Sequence, residues 1–76
     1  MNPPLPVVSG LDAIRAFSKV GYIKSRQKGS HVRLVHVDMG KHPPLTVPLH
    51  KELDTGLLRS LIRLSGLSVQ DFLALL

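Results

Sequence analysis

The segment Lys28-Gly29-Ser30-His31 is the part of this sequence whose residue types are best suited to chemistry. A glycine-containing turn before a β-branched run predicts that the histidine begins a strand and faces solvent. An imidazole can accept or release a proton near neutral pH, so it suits general acid–base catalysis. Lys24, Arg26 and Arg33 are close by in the sequence, and their positive charge predicts a polyanionic substrate.

Positive charge dominates the composition of the whole chain. Ten Lys and Arg residues outnumber five Asp and Glu residues among 76, which gives a formal net charge of +5. This length predicts a single domain over residues 1–76. The charge favours an anionic partner such as nucleic acid or an acidic protein, with solubility alone as the alternative. The absence of cysteine excludes a thiol nucleophile and a disulfide, and it fits a reducing compartment.

No segment of the sequence is typical of membrane insertion or export. There is no run of 18 apolar residues, so no membrane contact is predicted. Residues 1–8 contain three prolines and are predicted to form an extended lead-in, with Val7 and Val8 contacting the domain. This lead-in lacks the pattern of a signal peptide, and the cytoplasm is the expected location.

A helix is predicted over residues 10–20. Ser9 precedes it, and Asp12 follows three residues later in a pattern similar to a capping box. Gly21 is suited to the left-handed position that ends a helix. Helical spacing predicts an apolar stripe made of Leu11, Ile14, Phe17 and Val20.

Three strands are predicted over residues 22–27, 31–38 and 45–50, separated by turns at 28–30 and 39–42. A polar connection then leads to an amphipathic helix that begins near Leu57 and ends at Gly66, and Ser68 precedes a short last helix. The order α-β-β-β-α(-α) predicts an α+β fold. In such a fold a three-stranded antiparallel sheet carries the helices on one face.

The alternation of side chains along the strands predicts which residues share a face. The face under the helices is predicted to hold Ile23, Val32, Leu34, Val47 and Leu49. The open face is predicted to hold Lys24, Arg26, His31, Arg33, Thr46 and His50. Val35 and Val37 do not fit, since both fall on the open face, where they would meet a partner protein unless a bulge switches the pattern. Symmetric pairing about Gly40 would bring His31 near His50.

Such an open face suits the binding and cleavage of RNA. A base takes the proton of a 2′-hydroxyl, the oxygen attacks the adjacent phosphorus, and an acid protonates the leaving 5′ oxygen, all without a metal. His31 is the predicted base or acid, and His50 is a candidate auxiliary group. The predicted RNA contacts are Lys24, Arg26, Lys28, Gly29, Ser30 and Arg33.

The remaining histidines favour ordinary structural roles. His36 falls on the core face and is predicted to be structural, and His42, before two prolines, is predicted to lie in a solvated loop. His31, His36 and His50 do not show the spacing of a known metal site, so neither a metal nor another cofactor is predicted. A histidine on a strand is more often a surface residue than a catalyst, and this reading stands beside the catalytic one.

Five short segments of the chain together resemble the HicA toxin family, also called YcfA-like. In chain order they are Val8-Ser9-Gly10, Val20-Gly21-Tyr22, Gln27-Lys28-Gly29-Ser30-His31, Val47-Pro48-Leu49-His50, and Gly56-Leu57-Leu58-Arg59 with Ile62. The resemblance implies a fold similar to double-stranded-RNA-binding domains and a ribosome-independent mRNA interferase activity. It also implies neutralisation by a HicB antitoxin, and it assigns the catalytic histidine of the Gly-Ser-His turn to His31.

Three hypotheses for function follow. The first is a toxin that cleaves mRNA with His31 and is bound by a HicB-type antitoxin. The second is a non-catalytic RNA-binding module that uses the same sheet face. The third is a protein whose partner is another protein chain, with the positive charge incidental.

Overall fold

The chain alternates between helices and strands in the predicted order. A computed structural model describes residues 4–76. Its elements are α1 (Gly10–Ser18), β1 (Tyr22–Lys28), β2 (His31–His36), β3 (Leu45–Pro48), α2 (Thr55–Ser65) and α3 (Val69–Leu75). The strands form one antiparallel sheet in the order β1-β2-β3. The α+β fold with the order α-β-β-β-α-α is therefore confirmed.

Each helix begins at a polar side chain that accepts a hydrogen bond from a free backbone N–H group. The Ser9 hydroxyl accepts from the Asp12 N–H at 3.0 Å, and the Ser68 hydroxyl accepts from the Asp71 N–H at 3.0 Å. Both caps agree with the sequence prediction. The Asp54 carboxylate caps α2 in the same way through Leu57, so α2 begins at Thr55, before the predicted start.

Two glycines mark the ends of helices as predicted. Gly66 has a φ of +83° and is the left-handed residue at which α2 ends. Gly21 has a φ of +102° in the turn between α1 and β1. The helix α1 ends at Ser18, two residues before the predicted boundary.

Helix α1 follows the predicted apolar stripe except at Leu11. The other residues of the stripe are buried or pack against the core, namely Ile14, Phe17 and Val20, whereas Leu11 is 57% exposed. The reason is a close approach between α1 and β3: a Cβ atom at Gly10 would clash with the carbonyl oxygen of Pro48. The start of α1 therefore requires a small residue where it approaches β3, and the larger Leu11 is left outside.

The face assignment was wrong at the start of β1. Tyr22 is buried at 1% exposure, and Ile23, which was predicted to be buried, is 55% exposed. Tyr22 packs edge-on against Phe17 and donates a hydrogen bond from its hydroxyl to the Pro43 carbonyl at 2.9 Å. The other predicted core positions of the sheet are buried or partly buried, namely Val32, Leu34, Val47 and Leu49.

The segment before α1 packs against the core through Leu5 and Val8. Val8 is buried, and its carbonyl oxygen accepts a hydrogen bond from the Leu53 N–H at 2.8 Å. Val7 is 72% exposed, yet it lies against the domain as predicted, since it lines a surface depression together with side chains of α1 and with residues 75 and 76. The first three residues of the predicted lead-in lie outside the described residues. Within residues 4–76 no helix has both the length and the apolar character needed to span a membrane.

Candidate RNA interface and active site

A basic depression lies at one end of the open sheet face, near the turn between β1 and β2. Its volume is about 240 Å³. The five side chains that line it are Arg26, Lys28, His31, Arg33 and Thr46. We call this set the cationic half of the open face. Three predicted RNA contacts and the predicted catalytic histidine therefore come together in one place.

A β-bulge in β1 places two of these cations. Lys24 pairs with Leu34 but Arg26 pairs with Arg33, so Ser25 is an extra residue in the ladder. The Ser25 hydroxyl donates a hydrogen bond to the Arg33 carbonyl at 3.4 Å. Because of the bulge, Tyr22 can face the core while Arg26 and Lys28 face outward. A bulge was predicted as one possibility for the second strand, whereas the bulge lies in the first strand.

The same bulge separates Lys24 from the cationic half. Cross-strand partners point to the same side of a sheet, so Lys24 shares the helix-covered side with Leu34. Its ammonium group donates a hydrogen bond to the Gln27 side-chain oxygen at 2.8 Å. The prediction that Lys24 lies on the open face was therefore wrong.

The turn that precedes His31 is fixed by its backbone conformation and by a hydrogen bond to the segment after β3. Gly29 has a φ of +58° and Ser30 does not have a positive φ, as in a type II′ hairpin turn. The turn places Lys28 directly opposite His31. The Ser30 carbonyl accepts a hydrogen bond from the Leu49 N–H at 2.7 Å, which ties the turn to the segment after β3. Gly29 and Ser30 thus fix the position of His31 through the backbone.

The charges of the cationic half lack counterions within the described protein. Arg26 lies directly opposite Arg33, an arrangement that destabilises a sheet. The ion pairs within residues 4–76 are Arg15–Asp12 and Lys41–Asp38, so Arg26, Lys28 and Arg33 have no carboxylate partner there. An anionic ligand would relieve this repulsion.

His31 is exposed and free to contact a ligand. It is the first residue of β2 and lies between Lys28 of β1 and Pro48 of β3. The histidine side chains that form hydrogen bonds within residues 4–76 are His36 and His42, so neither ring nitrogen of the exposed His31 has a hydrogen-bond partner in that part of the chain. This arrangement suits a proton-transfer group.

His50 lies outside the cationic half. The β2–β3 register pairs His31 with Pro48, and His50 follows the strand. Its side chain lines a separate depression with Glu52, Leu53, Asp54 and Thr55. The structure therefore does not bring the two imidazoles together in one depression.

His36 and His42 form a partly buried ring cluster that the sequence revealed only in part. The His36 Nδ1 accepts from the Asp38 N–H at 2.9 Å, so its Nε2 carries the proton and donates to the Val20 carbonyl at 2.7 Å. This structural role agrees with the prediction. His42 was predicted to be solvated, yet its ring lies 4.0 Å from the His36 ring and its Nδ1 bonds to the Ser65 carbonyl at 3.1 Å. Burial raises the pKa of the neighbouring Tyr22 hydroxyl.

The other end of the open face carries aliphatic side chains. Ile23 lies opposite Val35, and both face away from the helices. Val37 follows β2 and is 71% exposed. We call Ile23, Val35 and Val37 the apolar half of the open face. Ile23 and Val37 are exposed and Val35 is partly exposed, and a group of aliphatic side chains at the surface is typical of protein-binding sites.

Acidic and histidine side chains do not gather around one point. Within residues 4–76 there is no group of three or more His, Asp or Glu side chains placed to hold a metal ion. His31 and His36 point to opposite faces of β2 because five positions separate them.

Most of the chain is similar to a known protein family. No curated protein matched the chain. A family model described as the HicA toxin of bacterial toxin–antitoxin systems matches residues 10–67. The match runs from the first residue of α1 to the residues after α2, so it includes the whole sheet and the cationic half. Since it covers more than half of the chain, the chain belongs to the HicA family of bacterial toxins.

Proposed function

We propose that this toxin is an endoribonuclease that cleaves mRNA and uses His31 as its proton-transfer group. The observation that carries the proposal is the cationic half itself. It combines one solvent-facing imidazole with three cations that have no carboxylate partner within residues 4–76. Phosphate groups of RNA are the ligands that such an arrangement attracts.

His31 acts on the 2′-hydroxyl of the nucleotide that is cleaved. It accepts the hydroxyl proton, the 2′ oxygen attacks the adjacent phosphorus, and the bond from phosphorus to the 5′ oxygen breaks. The leaving 5′ oxygen takes a proton from solvent, to which the depression is open. The products are a 2′,3′-cyclic phosphate and a 5′-hydroxyl end, and no step requires a metal.

The cations hold the reacting phosphate and its neighbours. Arg26 and Arg33 can each form paired hydrogen bonds to phosphate oxygens, and the Lys28 ammonium group lies on the same side of the hairpin as His31. Such donors stabilise the charge that develops on the phosphorane. Gly29 and Ser30 contribute by shaping the turn, and Lys24 contacts phosphates outside the depression.

The antitoxin of this toxin is proposed to be of the HicB type and to cover the open face. Its apolar side chains would pack on the apolar half, and its carboxylates would pair with Arg26 and Arg33. RNA and the antitoxin would then compete for the same cations. With mRNA as its substrate, the toxin acts in the cytoplasm.

Replacing His31 tests the proposal. We expect His31→Ala to lower the rate of RNA cleavage in EDTA by at least about 100-fold, the usual contribution of a general base. Because His50 lies in another depression, His50→Ala is the matched histidine control and should stay within about threefold of the wild type. Cleavage by His31→Ala at the wild-type rate would exclude the mechanism.

A non-catalytic RNA-binding module is the second candidate. The same three cations favour it, since they have no carboxylate partner within residues 4–76. They can bind phosphate whether or not an imidazole is present. The two candidates differ in the fate of RNA incubated with the wild-type protein in EDTA. RNA that is bound but stays intact at neutral pH would support the module.

A further inference from the structure

Thr46 is the one residue lining the cationic half whose side chain carries a hydroxyl group. It lies in β3 between two buried residues, Leu45 and Val47, and points outward opposite Arg33. Within residues 4–76 the hydroxyls that bond to other protein groups belong to serines and to Tyr22. The Thr46 hydroxyl is therefore free for a ligand.

Thr46 supplies a hydrogen-bonding capacity that its neighbours lack. The side chains of Arg26, Lys28 and Arg33 can only donate hydrogen bonds. A ribose 2′-hydroxyl carries a proton of its own and needs an acceptor, whereas a phosphate does not. Among the side chains that line the depression, only His31 and Thr46 can accept a hydrogen bond.

The register separates these two acceptors by one diagonal step on the open face. His31 lies opposite Pro48, and Thr46 precedes Pro48 by two residues on the same face of β3. Diagonal neighbours in an antiparallel pair are roughly 7 Å apart. One ribose at His31 and the ribose of an adjacent nucleotide at Thr46 fit this separation.

We propose that the Thr46 hydroxyl binds the 2′-hydroxyl of the nucleotide next to the one that is cleaved. This inference rests on the proposed function. It makes Thr46 a specificity-determining residue, since the toxin then senses ribose at two consecutive nucleotides. His31 senses ribose through the reaction itself, and Thr46 senses it through binding.

Chimeric oligonucleotides test the inference. Two strands of identical base sequence carry ribose at the cleaved nucleotide, and one of them also carries ribose at both neighbours, with deoxyribose elsewhere. We expect the wild type to cleave the bond after the shared ribose about fivefold faster in kcat/KM in the strand with three riboses, the effect of one hydrogen bond. Thr46→Val, which keeps the shape but loses the hydroxyl, should cleave that bond at equal rates in the two strands.

Two control variants keep the result specific. Thr46→Ser retains a hydroxyl and should keep the preference for the strand with three riboses. Thr55→Val is a matched substitution at an exposed threonine in another depression and should also keep it. A preference that survives in Thr46→Val, or a loss of rate that is the same for both strands, would overturn the inference.

Binding measurements separate this inference from the proposed cleavage. In the His31→Ala background, the affinity for the strand with three riboses should exceed that for the other strand by about fivefold. Adding Thr46→Val should remove the difference. If the wild type cleaves no RNA, the proposed function fails, and this affinity comparison still decides the role of Thr46.

Discussion

The two halves of the open sheet face share a surface but differ in chemistry. The cationic half contains Arg26, Lys28, His31, Arg33 and Thr46, and the apolar half contains Ile23, Val35 and Val37. Both halves include residues of β1 and β2, and the bulge at Ser25 falls between them. A polyanion needs only the first half, whereas a protein partner can use both. Contact with the apolar half therefore distinguishes binding of the proposed antitoxin from binding of the proposed RNA substrate.

Reversing a charge in the cationic half should have the largest effect on RNA. We expect Arg26→Glu to weaken RNA binding about 30-fold at low salt, as the loss of a charged hydrogen bond of about 2 kcal/mol would. The slope of log affinity against log salt should also fall by about one. Arg63→Glu in α2, which is also exposed, is the control for net charge. Equal losses in the two variants would mean that RNA binding does not depend on the cationic half.

Placing a charge in the apolar half should affect the antitoxin and spare the substrate. We expect Val37→Asp to weaken antitoxin binding about tenfold, because a carboxylate would be desolvated against an apolar partner surface. RNA cleavage by the free toxin should stay near the wild-type rate. Leu64→Asp, at an exposed apolar position of α2, is the matched control. Unchanged antitoxin affinity in Val37→Asp, measured by calorimetry, would remove the apolar half from the interface.

Tyr22, which packs edge-on against the His36 ring beneath the apolar half, should contribute to stability alone. We expect Tyr22→Phe to lower the free energy of unfolding by about 1 kcal/mol, because the Pro43 carbonyl loses its hydrogen bond. RNA affinity should not change.

The pH dependence of the same variant has a definite sign. Burial raises the pKa of Tyr22, so the folded protein holds this proton more tightly than the unfolded chain. The contribution of the protonated Tyr22 hydroxyl to the free energy of unfolding is present below about pH 10. It is lost as the pH rises through the raised pKa of Tyr22. Denaturant unfolding should show a steeper alkaline loss for the wild type than for Tyr22→Phe. Parallel curves would contradict the assignment.

The smallest expected effect is a gain in stability. Arg33→Gln removes the repulsion with Arg26 across the strands, and we expect the free energy of unfolding to rise by about 0.5 kcal/mol. RNA affinity should fall in the same variant. Thermal unfolding at low salt measures the gain, which should shrink at high salt. A loss of stability would mean that the two arginines do not repel each other.

Local chemistry explains which elements could be predicted from the sequence. The caps at Ser9 and Ser68 depend on residues three positions apart, and Gly21 and Gly66 have the backbone freedom that helix ends require. The hairpin at Gly29 follows the same logic and places His31 at the start of β2. These short-range features were therefore visible in the sequence.

Long-range packing explains what the sequence concealed. The start of α1 approaches β3 where Gly10 lies against Pro48, a contact between distant residues that a periodic pattern does not contain. The bulge at Ser25 exchanges faces in the middle of β1, so strict alternation misplaced Ile23 and Lys24. His42 contacts Ser65 and His36 and is partly buried, and nothing near it in the sequence indicates those contacts.

Chemical rescue of His31→Ala is the most direct test of the central role given to the imidazole. We expect this variant to bind RNA as the wild type does, to cleave it at least about 100-fold more slowly, and to regain activity when free imidazole is added. The recovered product should carry the same 2′,3′-cyclic phosphate end. Wild-type cleavage by His31→Ala without added imidazole would contradict the role of His31 in proton transfer.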